Sequence, residues 1–140
     1  IGLGIPAEPL FRSRDIDVMI DIENEIQNAL SPYMTAYCRP LPKTLALPSV
    51  VIRKIGGTEE NTIDTFMVML YVRAEIEAEA DLLARKATGL LMKIANEQTT
   101  ALRYVTINSL GGWSVDPVRP DLAMCTVTLM VRAHKTVMEV

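Results

Sequence analysis

Histidine, tryptophan and cysteine are scarce in this 140-residue chain, with one, one and two copies. Each shortage excludes something. Two cysteines, Cys38 and Cys125, cannot build a disulfide framework and suit a reducing compartment. No C-x-x-C or H-x-x-x-H spacing occurs, and His134 and Cys125 point to opposite faces of one expected strand, so no metal site is expected. The lone His134 reads as the exposed end of a strand rather than a catalytic base, which leaves Ser49, Ser109 and Ser114 without a proton acceptor. Neither G-x-S-x-G nor G-x-x-x-x-G-K-[ST] is present, and neither glycine pair leads into a helix N-terminus, so no phosphate cradle or cofactor is expected. Excess basic charge is also missing. Fourteen Lys+Arg against seventeen Asp+Glu leave a net charge of −3, which offers no electrostatic footprint for nucleic acid or an anionic membrane. No apolar run approaches the roughly 20 residues of a membrane-crossing helix, and no signal-peptide pattern is visible.

What is present is an ordinary globular balance. Apolar residues make up 49% and charged residues 22%, enough to bury a core in one domain without covalent staples. Residues 1–14, with two Gly and two Pro, read as an extended arm or leader, and residues 15–140 as a single α+β domain.

From Asp15 the spacing of Met19, Ile22, Ile26, Ala29 and Leu30 predicts a helix running to about Tyr37, capped by Asp15 or Asp17 and kinked or split at Pro32. Pro40, Pro42 and Pro48 make the next stretch an irregular connection. Val50–Ile55 and Thr62–Arg73 form a hairpin whose tip spans Gly56–Asn61. A second helix covers Glu77–Glu97, with Ala80, Leu83, Ala87, Leu90, Leu91 and Ile94 as its apolar stripe and Gly89 as a close packing contact. Acidic Glu75, Glu77, Glu79 and Asp81 crowd its start, where the helix dipole favours them and their spacing scatters them as cation ligands. Val105–Leu110 and Met124–His134 are the last strands, joined by a long loop, Gly111–Asp121. The order α-β-β-α-β-β predicts a four-stranded, mainly antiparallel sheet with both helices on one face.

The other face of that sheet is the most informative feature. Met67, Met69, Tyr71 and Arg73 share it with Met124, Thr126, Thr128, Met130 and Arg132. It is rich in Met and contains no Lys, a composition that suits a subunit interface, with Arg73 and Arg132 at the rim. The alternative is that the leader or the Pro-rich connection covers it within one chain. Two loops read as partner-facing: Gly56, Gly57, Thr58, Glu59 and Glu60 at one tip, and Trp113, Asp116, Arg119 and Asp121 at the other. Trp113 reads as an anchor residue.

The run from Asp15 to His134 resembles the tail terminator, or tail completion, proteins of long-tailed bacteriophages. The likeness is carried by D-I-E-N-E-I in the first helix, L-P-S-V-V-I-R-K-I-G-G after the Pro-punctuated connection, F-M-V-M-L-Y-V-R-A-E-I-E-A-E-A from strand to helix, and D-P-V-R-P-D before a strand ending V-R-A-H-K. The resemblance implies a structural virion protein of the neck, assembled in the host cytoplasm as a hexameric ring. Such a ring caps the finished tail tube, docks the filled head through a head-side connector or stopper protein, and lets DNA pass through its lumen. It carries over no catalytic residue. Another head-tail connector would share the pattern. A small ligand-binding domain or enzyme using the open sheet face is the alternative of a different kind. An RNA-binding sheet would need more aromatic and basic residues than Tyr71, Arg73 and Arg132 provide.

Overall fold

The structure, a computed structural model, describes residues 14–117, 119 and 121–140, apart from the side chains at 112, 113 and 115. The expected leader, residues 1–14, therefore lies outside the described residues except for Arg14. The fold is α+β, and the described residues form a five-stranded mixed sheet, a separate two-stranded ribbon and two helices.

Strict alternation builds the centre of the sheet. In β4 (Ile63–Ala74) the even-numbered residues are buried and the odd-numbered ones half-buried, the signature of a strand with one core face. β6 (Ala123–His134) pairs with it antiparallel from Ile63↔His134 to Ala74↔Ala123. Phe66, Val68, Leu70 and Val72 therefore meet Val131, Leu129, Val127 and Cys125 on one face, and the first four are fully enclosed. β3 (Ser49–Thr58) and β5 (Leu102–Val115) flank this pair, and β2 (Ala36–Tyr37) adds a short parallel edge beside β3. The four expected strands are thus present in the order β3-β4-β6-β5, and β2 makes the fifth.

Both helices cover the core face. α1 (Ile22–Leu30) buries Ile22, Ile26 and Leu30 against the β3 end of the core. It is shorter than the expected helix because residues 15–18 are not helical. Asp15-Ile16-Asp17-Val18 alternates with a period of two and forms β1 (Asp15–Val18), paired antiparallel with β7 (Thr136–Glu139). Asp21, not Asp15 or Asp17, is the N-cap, accepting a hydrogen bond from the Asn24 N–H at 3.2 Å. The helix stops at Leu30 because Pro32, just beyond the cap residue Ser31, cannot continue it.

α2 (Glu77–Glu97) has the expected bounds, and Gln98 ends it in the left-handed region, at φ 55°. Its buried line is Ala80, Ala84, Ala87, Thr88, Leu91 and Ala95, so Leu83, Leu90 and Ile94 flank the contact instead of centring it. Small residues let the helix lie close to the sheet. Gly89 is not part of that contact: it is exposed, and a Cβ there would meet nothing within 4 Å. Gly89→Ala is therefore expected to stabilise the fold by about 0.5–1 kcal/mol, by removing backbone freedom from the unfolded chain. An unchanged or lower urea midpoint would refute this.

The hairpin tips also differ from expectation. Gly56 and Gly57 lie within β3, where a bulge between Lys54 and Gly56 shifts the register, and the turn is residues 59–62. Gly57 serves a close approach: a Cβ there would sit 2.5 Å from the Thr65 carbonyl oxygen. β5 runs on to Val115, so Gly111 and Trp113 belong to a strand and only residues 116–122 make the connection.

Candidate functional site

The nine residues assigned to the open face do share it. Register places Met67 directly opposite Met130, Met69 opposite Thr128, Tyr71 opposite Thr126 and Arg73 opposite Met124, with Arg132 beside Thr65. All nine side chains are half-buried, shielded by their neighbours in the sheet, and neither helix lies on this side. The centre is a Met and Thr surface continued by Val51 and Arg53 on β3 and Tyr104 and Thr106 on β5.

Both arginines have carboxylate partners within the chain. Arg73 is mostly buried and donates to the buried carboxylate of Asp116, while Arg132 reaches Glu60 at 3.4 Å. Asp116 is 2% exposed, and its other oxygen accepts from the Arg119 N–H at 3.0 Å. It braces the 116–122 connection from within. The signal was present in the sequence: an arginine on a half-buried sheet face needs a counter-ion. Arg53, exposed on the same face, was missed altogether. It follows from the same alternation that placed Val50 and Ile52 in the core.

The expected partner-facing residues separate into unlike groups. Gly56, Gly57 and Thr58 are strand residues, whereas Glu59 and Glu60 form the turn and are tied to Lys135 and Arg132. Trp113 is in β5 by its backbone, and its side chain lies outside the described residues, as does any anchor role. Arg119 and Asp121 are exposed and bound to each other at 2.8 Å. The two tips sit at opposite ends of the sheet, because Ile63 pairs with His134 and Ala74 with Ala123.

A groove of about 640 Å³ crosses one end of the open face. Val51, Tyr71 and Met124 form its floor, and the Pro-rich connection, with Leu41, Lys43, Leu45 and Leu47, forms one wall. Pro117, Arg119 and Leu122 form the other. Among the described residues its cations are Lys43, Arg53, Arg73 and Arg119, and its one carboxylate is Asp116.

The buried carboxylates elsewhere hold the fold together. Burial, the largest influence on Glu23, raises its pKa, but hydrogen bonds from the Arg39 guanidinium at 2.9 Å and the Lys54 N–H at 2.8 Å outweigh it, and the net shift is downward. Asp64 behaves alike: burial raises its pKa, and the Lys135 ammonium at 2.9 Å with the Glu60 N–H at 2.9 Å brings it below the ordinary value. Both are saturated with donors, which suits an ion pair and not a general base. Burial pushes the thiols of Cys38 and Cys125 up, away from the thiolate a nucleophile needs. Among the described residues no three His, Cys, Asp or Glu side chains gather as a cation site.

Comparison with protein-family models finds no match, and comparison with curated proteins finds none either.

Proposed function

We propose that the protein is a structural ring subunit of the tail terminator kind. In this reading, copies assemble through the open sheet face into a hexameric ring that caps a completed phage tail tube. Its partners are a second copy of itself, the tail tube protein and a head-side connector, and its place is the neck of the virion. DNA passes through the lumen without being gripped, which the net charge of −3 suits. The reading assigns no catalysis and no cofactor.

The observation that supports it most is the Met67, Met69, Met124 and Met130 surface, half-buried and without lysine, on the side of the sheet away from both helices. A solvated antiparallel face normally alternates to polar side chains, and methionine with tyrosine is enriched where proteins meet. The likeness of the sequence to tail terminators supplies the kind of assembly. The test is the native mass by multi-angle light scattering, alone and after mixing with purified tails. A mass near six times the 15.5 kDa of one chain, and retention on tails, is the expected result. A single-chain mass at all concentrations, with no retention on tails, would overturn the reading.

A further inference from the structure

The groove on the open face joins an apolar floor to cations that no ion pair among the described residues neutralises. Arg73 is held by Asp116 and Arg119 by Asp121, but Lys43 and Arg53 are exposed and have no carboxylate partner among the described residues. Its complement is an apolar side chain carried between carboxylates. Such a segment is Glu75-Ile76-Glu77-Ala78-Glu79, where β4 gives way to α2; Ile16, between Asp15 and Asp17, is less exposed, at 44%, and its strand is already paired with β7. Ile76 is 61% exposed, and Glu75, Glu77 and Glu79 around it are exposed and outside every ion pair found among the described residues.

We propose that the groove receives the Glu75–Glu79 segment of a second copy. Ile76 enters over Val51, Tyr71 and Met124, and the flanking carboxylates meet Lys43 and Arg53. This rests on the reading that the protein builds a ring from its own copies, and it names the contact. Groove and segment adjoin but face opposite sides of the sheet. The groove opens on the face of the sheet away from both helices, whereas Ile76 starts the helix on the opposite face, and Leu122 of the intervening connection borders both. Each copy therefore offers the groove to one neighbour and the segment to another. That contact is head-to-tail, the type that closes into rings and not isolated two-fold dimers.

Charge reversal in the full-length chain tests it. Lys43→Glu with Arg53→Glu reverses the groove, and Glu77→Lys with Glu79→Lys reverses the segment. All four residues are exposed, so folding is expected to survive, and circular dichroism checks that it does. Each double variant alone is expected to raise the concentration needed for assembly at least about tenfold, because like charges then face each other. An equimolar mixture of the two is expected to regain the wild-type mass, since every junction in an alternating ring is again complementary. Wild-type assembly should weaken as salt rises from 0.05 to about 0.5 M. Unchanged assembly by either variant, or a mixture that fails to recover, overturns the proposal. If wild type still assembles in that case, the ring reading stands and the contact lies elsewhere. A groove variant that assembles normally but no longer binds tails would assign the groove to an acidic segment of the tail instead, which also overturns it. Wild type that stays a single chain defeats both.

Discussion

Met67→Asp is expected to abolish self-association while leaving the monomer folded. Met67 lies opposite Met130 at the centre of the open face, on the two innermost strands. In the single chain the side chain is half-buried, so a carboxylate there keeps some of its hydration. Under a second copy it would lose the remainder, and no cation is assigned to meet it. A charge buried without a partner costs about 3 kcal/mol or more, a hundredfold or greater loss of affinity. Met130→Asp is expected to act in the same way. Light scattering should report the single-chain mass, with a thermal midpoint close to that of wild type. Normal assembly by both variants would show that this face is not an interface.

Asp64→Ala is expected to lower stability by about 3–5 kcal/mol, the largest effect of any single substitution considered. Asp64 is fully enclosed, and Lys135, whose side chain is 9% exposed, approaches both of its oxygens. Truncation leaves Lys135 with Glu59 alone and removes the acceptor of the Glu60 N–H. The turn between β3 and β4 would keep only its exposed ties, Glu59 to Lys135 and Glu60 to Arg132. Urea denaturation measures this, and a shift below 1 kcal/mol would refute it.

The same carboxylate makes stability depend on pH. The native pKa values of Asp64 and Glu23 lie below their ordinary 3.8 and 4.5, so the native state holds fewer protons than the unfolded chain in the acid range. Their contribution is complete above those ordinary values and is lost as pH falls through the lowered native ones. Lys135 acts at the other extreme. Its pKa is raised, chiefly by its hydrogen bond to Glu59, so its contribution is complete below 10.5 and fades as pH rises through the native value. Asp64→Ala should therefore flatten the acid limb of a plot of urea midpoint against pH.

How much of this was legible in the sequence depended on the reach of each signal. β4, β6 and α2 repeat a local period for twelve residues or more, and their faces follow from it directly. The open face was legible for the same reason. β1 was not, because its partner β7 lies at the far end of the chain and Asp15 and Asp17 look like helix caps. β2, two residues long and parallel, carries no period at all. Gly56-Gly57 resembled a turn because glycine permits one, whereas Gly57 is there because Thr65 of the next strand comes too close for a side chain. Asp116 read as a partner-facing loop residue. Arg73 on a half-buried face called for a counter-ion, but the carboxylate that serves lies forty-three positions later, so the choice of Asp116 emerges only in the fold.

The β1–β7 ribbon also decides how the chain carries load. Arg14 and Val140 lie side by side, joined by the Val140 N–H to the Arg14 carbonyl at 2.6 Å, and four register pairs lead inward from them to Val18↔Thr136. Tension applied between these two positions acts across the ribbon, so its hydrogen bonds break in sequence from the outer end inward. The five-stranded sheet stays outside the load path until the last of those pairs has opened. The ribbon is thus a mechanical fuse, whereas tension applied between Arg14 and Thr136, at opposite ends of the ribbon, would load it in shear, in which all the pairs resist together.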